Sequence, residues 1–166
     1  MLDTLNGLLA EQVKDLYNAE HQLIKALPKL AKAATEPGLK QAFLSHLEET
    51  RTHVDRLEKI AEKLGIKPTG KTCKAMQGLI AEGSEVLDEK GEEPVVDAAL
   101  IAAAQRVEHY EISAYGTVRA IAEKLGKHDI AKLLQATLDE ERAADEKLTD
   151  ISEGGVLEAA MAAGAG

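Results

Sequence analysis

Four long stretches of this chain place an apolar residue at every third or fourth position, and Gly- and Pro-containing segments separate them. That period belongs to one face of an α-helix and to no face of a strand, so each stretch must bury one side of a helix. The first runs from about Leu2 to Ala34, with Leu5, Leu9, Gln12, Leu16, Leu23, Leu27 and Leu30 along its stripe. Asp3 or Thr4 suits its cap, Pro28 is expected to kink its last turns, and Glu36-Pro37-Gly38 ends it. The second, about Leu39 to Leu64, carries Phe43, Leu47, Val54 and Leu57 and stops at Gly65. The third spans roughly Val95 to Leu125, with Leu100, Ala104, Val107, Tyr115 and Val118 inward. The fourth spans roughly His128 to Ile151, with Ile130, Leu134, Leu138 and Leu148 inward, and stops at Gly154-Gly155.

Short turns join the first stretch to the second and, at Gly126-Lys127, the third to the fourth, so each pair is an antiparallel helical hairpin. Between the hairpins lies Ile66 to Pro94, a longer connection with a short helix expected around Cys73 to Leu87. Two hairpins joined by a long crossover predict an all-α, ferritin-like four-helix bundle in which the crossover carries a short fifth helix. The bundle should occupy residues 1–153 as one domain, with the Ala- and Gly-rich 154–166 as a tail that docks as a short helix or frays. A weak internal repeat fits this plan. Ala19-Glu20-His21 matches Val107-Glu108-His109, and Phe43, Leu47, Glu49 and Leu57 match Leu134, Leu138, Glu140 and Leu148.

Against this apolar pattern, several acids lie where core residues belong. Glu20 falls among Leu16, Leu23 and Ile24. Glu108 and Glu111 share a face between Val107 and Tyr115, and Glu141 and Asp145 break the fourth stripe between Leu138 and Leu148. Carboxylates are rarely buried unless they are paired or bind a metal, and like charges on one face repel unless a cation or proton sits between them. The second helix offers His46, Glu49 and His53 along one edge of its stripe. Glu49 with His53 gives a donor mix suited to iron, manganese or zinc, and His46 ranks lower. Glu140 rivals Glu141, because the repeat pairs it with Glu49. His21 and His109 point away from the stripes, and Tyr115 faces inward, where its hydroxyl should bond a buried carboxylate.

The net charge of −9 argues against nucleic acid as a partner, since that binding rests on Lys and Arg neutralising phosphates. The single cysteine, Cys73, excludes an intrachain disulfide and reads as an inert thiol in the irregular connection. No segment is apolar for long enough to span a bilayer, and the first residues carry no secretory pattern, so a cytoplasmic location is expected. Glycine loops for phosphate, a nucleophile elbow and HExxH are all absent.

The segments DLYNAEHQL (15–23), HLEETRTHVDRLE (46–58), VEHYEISAYGTV (107–118) and LDEERAADEKL (138–148) resemble the YciF/YciE family of bacterial stress-response proteins. The resemblance covers nearly the whole chain. It implies a rubrerythrin-related, ferritin-like bundle, a homodimer, and a dinuclear metal site. The broader ferritin-like pattern sets Glu, ExxH, Glu and ExxH on successive helices. Glu20 and Glu108 match its single Glu positions, whereas Glu49 is followed at the ExxH spacing by Thr52, and Glu141 by Ala144, with His53 and Asp145 one residue later. The expected ligands to iron or manganese are therefore Glu20, Glu49, His53, Glu108, Glu111, Glu141 and Asp145, with oxygen or peroxide chemistry in view. The alternative is a structural or interaction protein whose inward carboxylates hold no metal.

Overall fold

The structure, a computed structural model, describes residues 3–164, so the expected helix start at Leu2 and the last two residues of the tail lie outside the described residues. Six α-helices and no strands make up the described part: α1 (Leu5–Ala33), α2 (Pro37–Leu64), α3 (Lys74–Asp88), α4 (Glu93–Lys124), α5 (His128–Ile151) and α6 (Leu157–Ala163). None of them is long and apolar enough to cross a membrane.

Local chemistry explains the ends. Thr4 caps α1 by accepting the Gly7 N–H at 3.0 Å, and the helix continues through Pro28 to Ala33. The turn into α2 is tighter than the sequence suggests. Pro37 sits in the first turn of α2, where its fixed φ is already helical, and the Glu36 carboxylate accepts the Leu39 N–H, so the helix begins two residues before Leu39. Gly65, at φ 65°, takes the left-handed conformation that ends α2. Pro94 likewise lies in the first turn of α4 and starts that helix ahead of Val95. α5 ends at Ile151, and the helical course breaks at Gly155, whose φ of 159° and ψ of −25° are not helical, as Gly154-Gly155 implies. A kinked turn over Ser152–Val156 leads from α5 into α6, which packs on α4, and Val156 is buried in the core.

α1 packs along α2 and α4 along α5; the hairpins meet through α2–α5 and α1–α4, and α3 covers α1 and α4. The all-α bundle of two hairpins with a helix-bearing crossover is thus present. Its core falls into two apolar clusters. One, around Leu23, Leu27, Phe43, Leu100, Ile101 and Met76, lies towards the α1–α2 turn. The other, around Leu9, Leu16, Leu57, Val118, Leu134 and Leu138, lies towards the opposite end. Where the two clusters meet, every bundle helix contributes buried polar residues: Glu20 on α1, His46, Thr50 and His53 on α2, Glu108 and Glu111 on α4, and Glu141 on α5. Leu5, placed in the first stripe by its spacing, is 47 % exposed as the first residue of α1.

Cys73 is not stranded in an irregular loop. It caps α3, is fully buried, and its Sγ lies 2.9 Å from the Tyr110 hydroxyl, which donates to Asp15. Burial pushes its thiol up, which keeps it protonated and unreactive.

Candidate metal centre

Helix geometry brings the polar layer together. His46 and His53 are two turns apart on α2 and share a face; Glu108, Glu111 and Tyr115 follow the three- and four-residue steps of α4. Glu20 and Glu141 each enter from one helix between leucines. Donor atoms of His46, Glu108, Glu111 and Glu141 lie within 4.8 Å of one another, and those of Glu20, His53 and Glu141 form a second such group. Glu141 belongs to both. His46 Nε2 is 3.4 Å from Glu108 Oε1 and 3.5 Å from Glu141 Oε2. On the other side His53 Nδ1 is 3.0 Å from Glu141 Oε1 and 3.3 Å from Glu20 Oε1.

These six side chains are sealed from water. Glu20, His53, Glu111 and Glu141 are 0 % exposed, Glu108 3 % and His46 5 %. Yet their mutual contacts are close ion pairs rather than aligned hydrogen bonds. Among the described residues, every buried side-chain polar atom without a hydrogen-bond partner belongs to this cluster except Arg119 Nε: Glu20 Oε2, His46 Nε2, His53 Nδ1, Glu108 Oε2 and both oxygens of Glu111 and of Glu141. Each such atom costs about 1–3 kcal/mol when buried without a partner, more when charged. Asp97 marks the contrast. It is also buried, but it accepts hydrogen bonds from Thr35 N, Thr35 Oγ1 and Glu36 N at 2.9, 2.6 and 2.8 Å, and so staples the α1–α2 turn.

Surrounding groups orient the donors. The Tyr115 hydroxyl donates to Glu20 Oε1, the bond expected of that inward tyrosine. His53 Nε2 meets Glu140 Oε2 at 2.9 Å, which leaves Nδ1 facing Glu20 and Glu141, and Arg56 clamps Glu140 from outside. His46 Nδ1 meets Glu49 Oε2 at 3.2 Å, which leaves Nε2 inward. The two glutamates paired by the internal repeat, Glu49 and Glu140, thus hold the outer nitrogens of the two histidines. An imidazole that ligates a metal through one nitrogen commonly meets a carboxylate at the other.

Charge is balanced by protons in the chain as it stands. Burial raises the Glu108 and Glu111 carboxyls well above the ordinary range, and the charges of Glu141 and Glu20 add to it. Burial would lower His53, but Glu141 and Glu20 outweigh it and raise His53 to about 10. Burial opposes the ionised form of Glu141 too, yet His53 and His46 hold its carboxyl below the usual value. Protons on Glu108, Glu111 and His53 therefore take the part a cation would play, and a metal would displace them. Four carboxylates with two imidazoles form a donor set that fits iron or manganese.

Of the expected ligands, Glu20, His53, Glu108, Glu111 and Glu141 converge in the cluster. Glu49 lies at its rim, its side chain 47 % exposed. Asp145 turns away to Gln105 Nε2 at 3.2 Å and His109 Nε2 at 3.1 Å. His46, ranked low in the sequence, stands inside, and the signal that marks it is its seven-residue spacing from His53.

A family model described as "Domain of unknown function (DUF892)" matches residues 4–161. Protein YciF of Escherichia coli K12 is 47 % identical over 152 residues, spanning 91 % of this chain and 92 % of its own. The crystal structure of that E. coli stress protein superposes with a TM-score of 0.90 at 46 % identity, covering 93 % of this chain and 98 % of that one. YcfI of Rhodopseudomonas palustris follows at 0.86 and 47 % identity, over 89 % and 94 % of the two chains. A ferritin-like, diiron-carboxylate protein of Bacillus anthracis shares the fold at a TM-score of 0.70 and 17 % identity, over 90 % and 99 %. With a match across nearly its whole length and a solved relative almost half identical, this chain belongs to the DUF892 family, as a ferritin-like homologue of the stress protein YciF.

Proposed function

We propose that this protein binds two ions of iron or manganese in the polar layer of its bundle and serves in a stress response as a cytoplasmic homodimer. The observation that carries the reading is the set of buried, unpartnered donor atoms, which six side chains from four helices direct at one another. Glu20 and His53 would hold one ion, His46, Glu108 and Glu111 the other, and Glu141, common to both groups, would bridge them. When bound, two adjacent redox-active ions supply electron transfer to dioxygen or peroxide. Of this chain's own groups, Tyr115 fixes the Glu20 carboxylate, Glu140 and Glu49 fix the two imidazoles, and the flanking leucine clusters exclude water. The stress role is supported by homology to YciF, the cytoplasmic location by the lone buried thiol, and the dimer by the family resemblance.

Metal analysis of protein purified from iron- or manganese-supplemented cells should find both sites filled. Adding either ion at about one hundred times its dissociation constant should stabilise the fold by about 2.7 kcal/mol for each site filled. In a domain of this size that raises Tm by about 5–10 °C. Absence of metal together with an unmoved Tm would sink the reading.

A second reading, a structural protein with a proton-sharing carboxyl cluster, draws on one observation: His53 and the protonated Glu108 and Glu111 already neutralise much of the buried charge. Under it, metal analysis finds nothing and the Glu-to-Gln variants of the cluster lose nothing.

A further inference from the structure

The polar layer is sealed unevenly. Glu20, His53, Glu111 and Glu141 have no exposed surface, and what exposure remains belongs to His46 and Glu108. Both of these line the same cleft, which opens between α2 and α5. Its volume is about 350 Å³, at the lower end of the roughly 300–1,000 Å³ typical of small-molecule sites. The cleft exists because small residues occupy the facing helix positions, Gly38 and Ala42 on the α2 side and Ala143 and Ala144 on α5. Phe43 and Leu148 give it apolar walls, and the exposed Lys147 places an ammonium among its lining residues. At the inner end are two unpartnered donors, His46 Nε2 and Glu108 Oε2.

We infer that this cleft is a binding site for a small organic anion, a carboxylate with a short apolar body, whose charged group reaches the His46–Glu108 end of the metal centre. The inference rests on the metal reading above. Each part of the cleft answers to a part of such a ligand: the aliphatic stem lies against Phe43, Leu148 and the alanines, and the anion is drawn in past Lys147. Without metal, the inner end presents only the carboxyl groups of Glu49 and Glu108 beside His46; a bound metal ion adds the positive charge that receives an anion. Binding should therefore be metal-dependent, which an adventitious apolar groove would not be. A diatomic oxidant alone would not need walls this far apart or a cationic rim.

Butyrate and manganese(II) provide the test, since the paramagnetic ion broadens the proton resonances of any molecule held beside it. Butyrate should broaden with manganese-loaded protein beyond a free-manganese control and bind no metal-free protein. Ala144→Leu, which fills the cleft, should weaken butyrate binding about tenfold, equivalent to about 1.4 kcal/mol, at unchanged manganese content. Ala143→Leu, on the exposed wall, repeats the test should Ala144→Leu fold poorly, and Lys147→Met should weaken binding several-fold. Metal-loaded protein that leaves butyrate unbroadened, or that binds it equally well with Leu at 143 and 144, overturns the cleft assignment and leaves the metal centre standing. Protein that takes up no manganese and no iron overturns the metal reading, and the cleft assignment falls with it.

Discussion

Glu111 shows most plainly what burial without a partner means. It has no exposed surface, both its oxygens are unsatisfied, and burial with the nearby Glu141, Glu20 and Glu108 charges pushes its carboxyl well up. A neutral amide of the same shape matches that protonated carboxyl in charge, and its N–H groups would face acceptors. Glu111→Gln is expected to leave the metal-free protein about as stable, since the carboxyl it replaces is already protonated and neutral there. The same change should remove most of the Tm gained on adding manganese, as thermal melts with and without the ion would show. A metal-free loss of stability, or an undiminished metal response, would contradict the role given to this residue. Acids of this kind were legible in the sequence because apolar residues flank them: Leu16 and Leu23 about Glu20, Val107 and Tyr115 about the Glu108–Glu111 pair, and Leu138 before Glu141. Asp145 was not. One helical residue is about 100° of rotation, so a side chain at the edge of a stripe can turn either way, and Asp145 finds Gln105 and His109 outside the cluster. His46 was obscured for the converse reason: imidazole suits a core or a ligand shell equally well, and only the donors arriving from α4 and α5 decide between them.

At the scale of the helices, the two hairpins could be read from turn lengths alone, and the crossover helix from the apolar run after Cys73. The ends could not be placed as closely. Pro37 and Pro94 look like breakers in the sequence, yet at the first turn of a helix proline lacks no needed donor, so α2 and α4 start earlier than their spacing implies. Nor does the sequence announce what holds the α1–α2 turn. Asp97 does so from α4, a contact more than sixty residues away in the chain. Asp97→Ala would leave the N–H groups of Thr35 and Glu36 without their acceptor. It should cost about 1–3 kcal/mol, seen as a lower denaturant midpoint at an unchanged slope. A variant with the wild-type midpoint would show that water replaces the carboxylate at no loss.

Across the whole molecule, the polar layer divides one hydrophobic core into two, so stability and ligation are coupled through protons. His53, raised to about 10 from its ordinary 6.5, contributes stability that is complete below about pH 6.5 and is lost as pH climbs to about 10. Glu108 and Glu111, with carboxyls raised by burial and like charges, act in the same direction. The folded chain binds more protons than the unfolded one, so its stability falls as pH rises. The metal-free Tm should decline from about pH 6.5 to 9, while the rise in Tm on adding manganese widens, because the ion displaces those protons. A metal-free Tm that rises over this range would show that the cluster is not protonated as described. The most direct measurement of the central claim is anomalous scattering from crystals soaked in iron or manganese. Two peaks are predicted in the polar layer, one beside Glu20 and His53 and one beside His46, Glu108 and Glu111, with Glu141 between them. Density without anomalous signal there, or metal found only at the surface, would contradict it.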